Sequence, residues 1–257
     1  MRNFQLNAGM ALMTSAALIQ IVGLPLQASE VDSRIEASAK NSYNFKTYLK
    51  DDKIKVASSG GVVTLTGSVS EDYHKALAEE TVSGLPGVKS VNNQLTVVGD
   101  QPTEQSDNWI SMKVKTALTF HKNVSATETG IHTQNGIVTL SGNTDSEAQK
   151  QLTTEYTKEV EGVKEVRNEL VVSKSGKSAG ATLGAKVDDA SITAQIKASL
   201  LFHKSTSAVA TKVVTKNGVV TLRGEAKNAA EKDLVTKLTK DINGVKLVNN
   251  KMTVQKP

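Results

Sequence analysis

One short strand, written three times, limits what this chain can fold into. Gly61-Val62-Val63-Thr64-Leu65-Thr66-Gly67 returns as Gly136-Ile137-Val138-Thr139-Leu140-Ser141-Gly142 and again as Gly218-Val219-Val220-Thr221-Leu222-Arg223-Gly224. A second landmark keeps step with it: Gly87-Val88, Gly162-Val163 and Gly244-Val245. Each stands equally far beyond the first glycine of its own strand, Gly61, Gly136 or Gly218. Two landmarks held in one fixed spacing mean three copies of one unit. The 257 residues therefore hold three units of about 70 residues each, near the small end of what one core can stabilise.

Each unit opens with a helical pattern. Ile110, Val114 and Leu118 recur every four residues, as do Ile192, Ile196 and Leu200, so each set shares one helix face; Ile35, Ala39 and Tyr43 hold the equivalent places. Asp107 and Asp188 stand near the expected helix starts, where a carboxylate suits the positive end of the dipole. Phe45, Phe120 and Phe202 fall near the helix ends. A hairpin follows, its turns written Gly60-Gly61, Asn135-Gly136 and Asn217-Gly218. Asn-Gly between β-branched residues favours a type I′ turn, which needs positive φ at both residues. Gly67, Gly142 and Gly224 are expected to end the second strand. A second helix carries Leu77, Leu152 and Leu234, and Gly87, Gly162 and Gly244 are expected to stop it as left-handed caps. The last strands are Val88–Val98, Val163–Val172 and Val245–Val254, with Asn93, Asn168 and Asn250 replacing an apolar residue at one inward position. A bulge, or an Asn side chain satisfying nearby backbone, accounts for that interruption.

The fold class that results is α+β: three tandem small domains, each helix–strand–strand–helix–strand. Each has a three-stranded mixed sheet covered on one face by two helices, the crossover helix making strands two and three parallel. The expected boundaries are 30–98, 107–172 and 188–257. Residues 173–187, rich in Gly, Ser and Ala, read as a flexible linker that lets unit three move more freely than units one and two. Residues 1–28 read as a signal peptide: Arg2, an apolar run from Ala8 to Leu26, then Gln27-Ala28-Ser29, with cleavage expected after Ala28. Gln20 and Pro25 inside a run of marginal length argue against a membrane anchor. The chain is therefore expected to be exported, and with no cysteine in it a lipoprotein anchor on cysteine is excluded.

The strands and turns resemble the BON domain family, in the Gly-Val-Val-Thr-Leu-Thr-Gly strand at 61–67, the Pro86-Gly87-Val88 helix exit and the Val91-Asn92-Asn93-Gln94-Leu95-Thr96-Val97 strand. All three copies match. The resemblance implies a periplasmic, non-enzymatic module that contacts phospholipid or supports envelope integrity, with osmotic or envelope stress as its setting. The matching residues are structural glycines and aliphatic strand positions, so they speak to fold more than to ligand.

No catalytic set stands out. His74, His121, His132 and His203 read as surface or helix-end residues, and the two in unit two, His121 and His132, lack a recurring acidic or Cys partner at ligand spacing. No phosphate loop, dinucleotide fingerprint or nucleophile elbow is present. The expectation is no enzyme, no cofactor, no metal and no small-molecule substrate. Nucleic acid is disfavoured by export and by an aromatic content of 4%. Charge points elsewhere: residues 188–257 carry 12 basic and 6 acidic residues, against 8 and 9 in 30–98 and 7 and 9 in 107–172. An anionic membrane surface is the expected partner of unit three, and a protein or peptidoglycan contact in the envelope is the alternative. The candidate membrane-contact residues are Lys197, Leu201, Phe202, Lys204 and Lys212 in unit three, with Trp109 as a candidate interfacial anchor in unit two.

Overall fold

The structure, a computed structural model, describes residues 24–99, 102–124, 126, 128–173, 186–206 and 210–255. The expected signal peptide up to residue 23, and 174–185 of the expected linker, lie outside the described residues. Unit one runs α1 (Leu24–Asn41), α2 (Tyr43–Thr47), β1 (Lys53–Ser59), β2 (Val62–Val69), α3 (Asp72–Ser83) and β3 (Ser90–Val97). Unit two runs α4 (Asp107–Thr119), β4 (Thr129–Gln134), β5 (Ile137–Thr144), α5 (Glu147–Lys158), β6 (Glu165–Asn168) and β7 (Val171–Val172). Unit three repeats this as α6 (Asp189–Phe202), β8 (Thr211–Lys216), β9 (Val219–Ala226), α7 (Ala229–Asp241), β10 (Leu247–Asn250) and β11 (Thr253–Val254). The signal cleavage expected after Ala28 falls within the first turns of α1, before its first core residues, Val31 and Ile35.

The repeated strand is central in every sheet. It pairs antiparallel with the hairpin strand before it and parallel with the strand after the crossover helix. Val63, Leu65, Val138, Leu140, Val220 and Leu222 point into the cores with no exposed area, as period-two alternation over a one-sided sheet requires. The hairpin turns take positive φ at both residues, 55° and 79° at Asn135-Gly136 and 53° and 78° at Asn217-Gly218.

Three local expectations are corrected. The first helix of unit one is split, because Ser42 leaves the helix in an extended conformation (ψ 153°). Its hydroxyl bonds back to the Ala39 carbonyl and accepts the Phe45 N–H that starts α2. Gly67, Gly142 and Gly224 do not end their strands, which continue to Val69, Thr144 and Ala226. An added Cβ at these glycines would overlap the carbonyl oxygens of Lys53, Glu128 and Ala210 on the neighbouring backbone, so each marks a close approach within the sheet. Gly87, Gly162 and Gly244 are left-handed at φ 94°, 85° and 85°. They lie beyond the ends of α3, α5 and α7, however, in the turn that brings the chain under Ile35, Ile110 and Ile192.

The Asn positions are not bulges. Leu140 faces Asn168 before the interruption and Asn143 faces Val171 after it, three steps along each strand, so no residue is inserted. Asn168 donates from Nδ2 to the Lys150 carbonyl and to Thr154 Oγ1 on α5, and its Oδ1 accepts the Leu170 N–H. Asn250 repeats the arrangement with Lys232, Thr236 and Met252, and Asn93 with Lys75, Glu79 and Leu95. Each Asn therefore ties the last strand to the middle of the crossover helix.

The units share one continuous core. Phe120 of unit two stands edge-on to Tyr48 and Tyr73 of unit one, with ring centroids at 5.1 and 6.2 Å. Unit three is packed against both neighbours, which the linker composition does not indicate. The reason lies in α6: Ala190, Ala194, Ala198, Ser191, Gln195 and Ser199 are buried beside its own core residues, so the helix is covered nearly all round. Asn44 of unit one meets it, its backbone N–H reaching Ser191 Oγ at 3.2 Å and its Oδ1 accepting Gln195 Nε2 at 2.7 Å.

Candidate functional site

The repeated carboxylates act on the turns. Asp107 accepts the N–H groups of Asn135 and Gly136, at 2.7 and 2.8 Å, and Asp189 does the same for Asn217 and Gly218, at 2.6 and 2.8 Å. Asp32 grips Gly60 and Gly61 in unit one and also accepts from the Ser58 hydroxyl. These donors hold the Asp107 and Asp32 carboxyls below the ordinary carboxylate range, through the Gly136 and Asn135 N–H groups for the first and the Ser58 hydroxyl foremost for the second. Asp188 has a different task from Asp107. It caps α6 by accepting the Ser191 N–H, as Ser106 caps α4, and it also takes the Tyr43 N–H of unit one at 2.8 Å. The open grooves over these helix starts, of about 450 Å³ beside α6 and about 360 Å³ beside α4, are lined by this same clasp of carboxylate, turn and Lys246 or Lys164.

Units two and three hold each other through a contact that repeats itself. The Lys122 N–H donates to the Asp241 carbonyl at 2.9 Å, and the Lys204 N–H donates to the Glu159 carbonyl at 2.8 Å. Each lysine ammonium then donates to the carbonyl one residue earlier, Lys240 or Lys158, at 2.7 and 2.6 Å. Lys122 and Lys204 hold the same place in their units, as do Glu159 and Asp241, so the two halves are related by a local two-fold axis.

The side chains between them break that symmetry. Around His121, which is 3% exposed, Asp241 gathers the Tyr156 hydroxyl at 2.9 Å and the Asn123 amide. His121 Nδ1 lies 3.3 Å from Asp241 Oδ2, an ion-pair distance without hydrogen-bond alignment, and its Nε2 meets Ser199 Oγ at 3.1 Å. At the equivalent places around His203 stand Glu159, Leu238 and Ala117. His203 is 2% exposed, and among the described residues neither ring nitrogen has a hydrogen-bond partner. Burial, and after it the neighbouring His121, lowers its pKa from 6.5 to about 3, so it is held neutral. The same low-polarity setting and the Asp241 charge push the Tyr156 hydroxyl up. The two histidines do end their helices, but they are interior and not surface residues. Ser199, His121 and Asp241 stand in the order of a hydrolytic triad, yet at 1%, 3% and 5% exposure they leave no approach for a substrate.

The six candidate contact residues are dispersed. Lys197 pairs with Glu80 of unit one at 2.6 Å and is half-buried. Lys204 is occupied by the Lys158 carbonyl. Trp109 and Phe202 are half-buried on either side of the Lys113 ammonium, 5.1 and 4.8 Å from their ring centres, which links units two and three. Leu201 is 55% exposed on α6. Lys212 is exposed on β8, with no side-chain partner among the described residues. Among the described residues no group of three or more His, Cys, Asp and Glu side chains could hold a metal ion, and no helix is long and apolar enough to cross a membrane.

The repeat unit matches one family, the BON domain, over three stretches, 31–99, 106–174 and 188–256. The chain belongs to the BON domain family. The chain is similar to the Escherichia coli K12 protein named osmotically-inducible protein Y, at 31% identity over 200 residues, covering 77% of this chain and 96% of the relative. The chain is also similar to outer membrane lipoprotein DolP of Haemophilus influenzae, at 28% identity, covering 52% of this chain and 71% of the relative. Among solved structures, CdsD, a structural protein of the type III secretion system of Chlamydia trachomatis, is 17% identical and covers 86% of this chain and 90% of its own, with a TM-score of 0.24.

Proposed function

We propose that this three-BON protein is an exported, non-enzymatic envelope protein that binds anionic phospholipid surfaces through unit three, in the setting of osmotic or envelope stress that the names of its relatives suggest. The observation that carries the reading is the state of the charges in unit three. Four of its six acids are engaged: Asp188 and Asp189 hold backbone N–H groups, Asp241 sits in the interdomain cluster, and Glu231 takes the Lys227 N–H, while Glu225 and Asp233 are exposed. Its surplus cations are left facing solvent. A basic face of this kind is attracted to anionic headgroups, each cation adding roughly 1 kcal/mol near the surface.

The test is co-sedimentation of the chain lacking residues 1–28 with phosphatidylglycerol and with phosphatidylcholine vesicles at two salt concentrations. Binding confined to the anionic vesicles and weakened by salt is expected. Absence of binding to both would sink the proposal, and salt-insensitive binding to both would point to an apolar contact instead.

A further inference from the structure

We propose that the open face of the unit-three sheet, opposite its helices, is the surface that lies against an anionic phospholipid bilayer, with Lys212, Arg223 and Lys251 as a headgroup-contacting row. This rests on the reading of unit three given above and places its contact. Lys212 on β8 is the cross-strand partner of Arg223 on β9. On the other side the parallel register pairs Leu222 with Asn250 and Glu225 with Thr253, which sets Lys251 opposite Arg223, and the Lys251 N–H bonds to the Leu222 carbonyl. Three cations thus stand abreast, on β8, on β9 and on the segment joining β10 to β11, spanning about 10 Å. All three are exposed, and among the described residues none makes a side-chain hydrogen bond or ion pair.

The fold does not require them. The same row in unit two is Gly130, Ser141 and Glu169, and in unit one it is Lys55, Thr66 and Gln94. Like charges directly opposite one another weaken a sheet, so the row is a cost to unit three that an anionic partner would relieve. The rest of the face is consistent with a lipid surface. Lys216 adds a fourth cation, Val214 and Leu247 are about half exposed beside the row, and Glu225 is the one acid these strands present there among the described residues. A flat row engages several headgroups at once in a bilayer but only one or two phosphates in solution. Leu201 lies on α6, against the opposite face of the same sheet, so it and the row cannot meet one bilayer together.

The experiment compares three forms of the chain lacking residues 1–28, using vesicles of phosphatidylglycerol diluted in phosphatidylcholine. They are the wild type, K212Q/R223Q/K251Q, and the control K227Q/K237Q/K240Q, which removes the same charge from exposed positions elsewhere in unit three. With about a fivefold contribution per cation, the row variant is expected to lose about 100-fold in partitioning and the control less than about tenfold. The melting temperature of the row variant should be unchanged or higher, because opposed like charges have been removed. Equal losses in the two variants, or none in the row variant, would overturn the row while leaving anionic binding by the protein intact. Failure of the wild type to bind would remove both readings. Displacement by millimolar inorganic phosphate at constant ionic strength would assign the row to free phosphate and overturn the lipid surface.

Discussion

His203 makes the stability of this protein depend on acid in a calculable way. The groups facing it are the rings of His121 and Tyr156, each 5.8 Å away, the Asp241 carboxylate behind them, and Glu159 and Lys204 at the strand-like contact beside it. None of them hydrogen-bonds either His203 nitrogen. Unfolded, the ring takes up a proton at an ordinary 6.5; folded, only at about 3. A histidine with a depressed folded pKa contributes fully above the unfolded value, and that contribution is lost as pH falls from 6.5 towards 3. At about pH 5 the gap is about 1.5 pH units, or about 2 kcal/mol, a factor of about 30 in the folding equilibrium. The assay is urea unfolding at about pH 8 and about pH 5, followed by the emission of Trp109, the one tryptophan, which shares Lys113 with Phe202 across the same interface. Wild type should lose about 2 kcal/mol more than His203→Gln between the two conditions. The other titrating groups are common to both proteins, so an equal loss in the two would refute the assignment to His203.

Further outcomes follow from the same structure. Asn168→Ala removes three hydrogen bonds and leaves the Leu170 N–H without its acceptor, and should cost about 2–3 kcal/mol in urea unfolding while leaving vesicle binding unchanged. Gly224→Ala sets a Cβ against the Ala210 carbonyl at φ 126°, and should lower the midpoint of thermal unfolding, at a cost above about 4 kcal/mol. Lys197→Ala breaks an ion pair that is one-third exposed, and should change stability by less than about 1 kcal/mol. The Asp107 carboxyl should titrate below 3.8 when followed by NMR. Its grip on the turn is therefore present above that pH and lost as pH falls through the depressed value, and Asp107→Asn should abolish this acid-side loss.

Much of the unit was legible because its signals are local. The Asn-Gly turns, the alternating strands and the helix faces each depend on neighbours a few residues away. The Asn interruptions were visible as breaks in parity, but their partners sit well back in the chain, on a helix whose rotation the sequence does not state. The split at Ser42 was hidden because Ile35, Ala39 and Tyr43 keep a helical spacing across it. The clasp between units was the least legible. His121-Lys122 and His203-Lys204 look identical in sequence, and their difference comes from Tyr156 against Leu238 and Ser199 against Ala117, which matters only once the units are docked. A usable signal was the run of small residues Ala190, Ala194 and Ala198 on α6, which marks a helix that is packed on a second face besides its own core face. The Lys212, Arg223 and Lys251 row needed the strand register, since its members are far apart in the chain.

The self-repeating contact between units two and three has a consequence for how such chains arise. A patch that meets its own copy across a two-fold axis is what a single unit would use to pair with a second molecule of itself. Written twice in one polypeptide, the pairing no longer depends on protein concentration, because the partner is always present at the effective concentration set by covalent connection. The two halves are then free to diverge. One has a hydrogen-bonded centre around His121, while the other carries a bare neutral ring at His203. The clasp has the geometry of a homodimer contact carried within one chain, with a buried ring of lowered pKa on the His203 side.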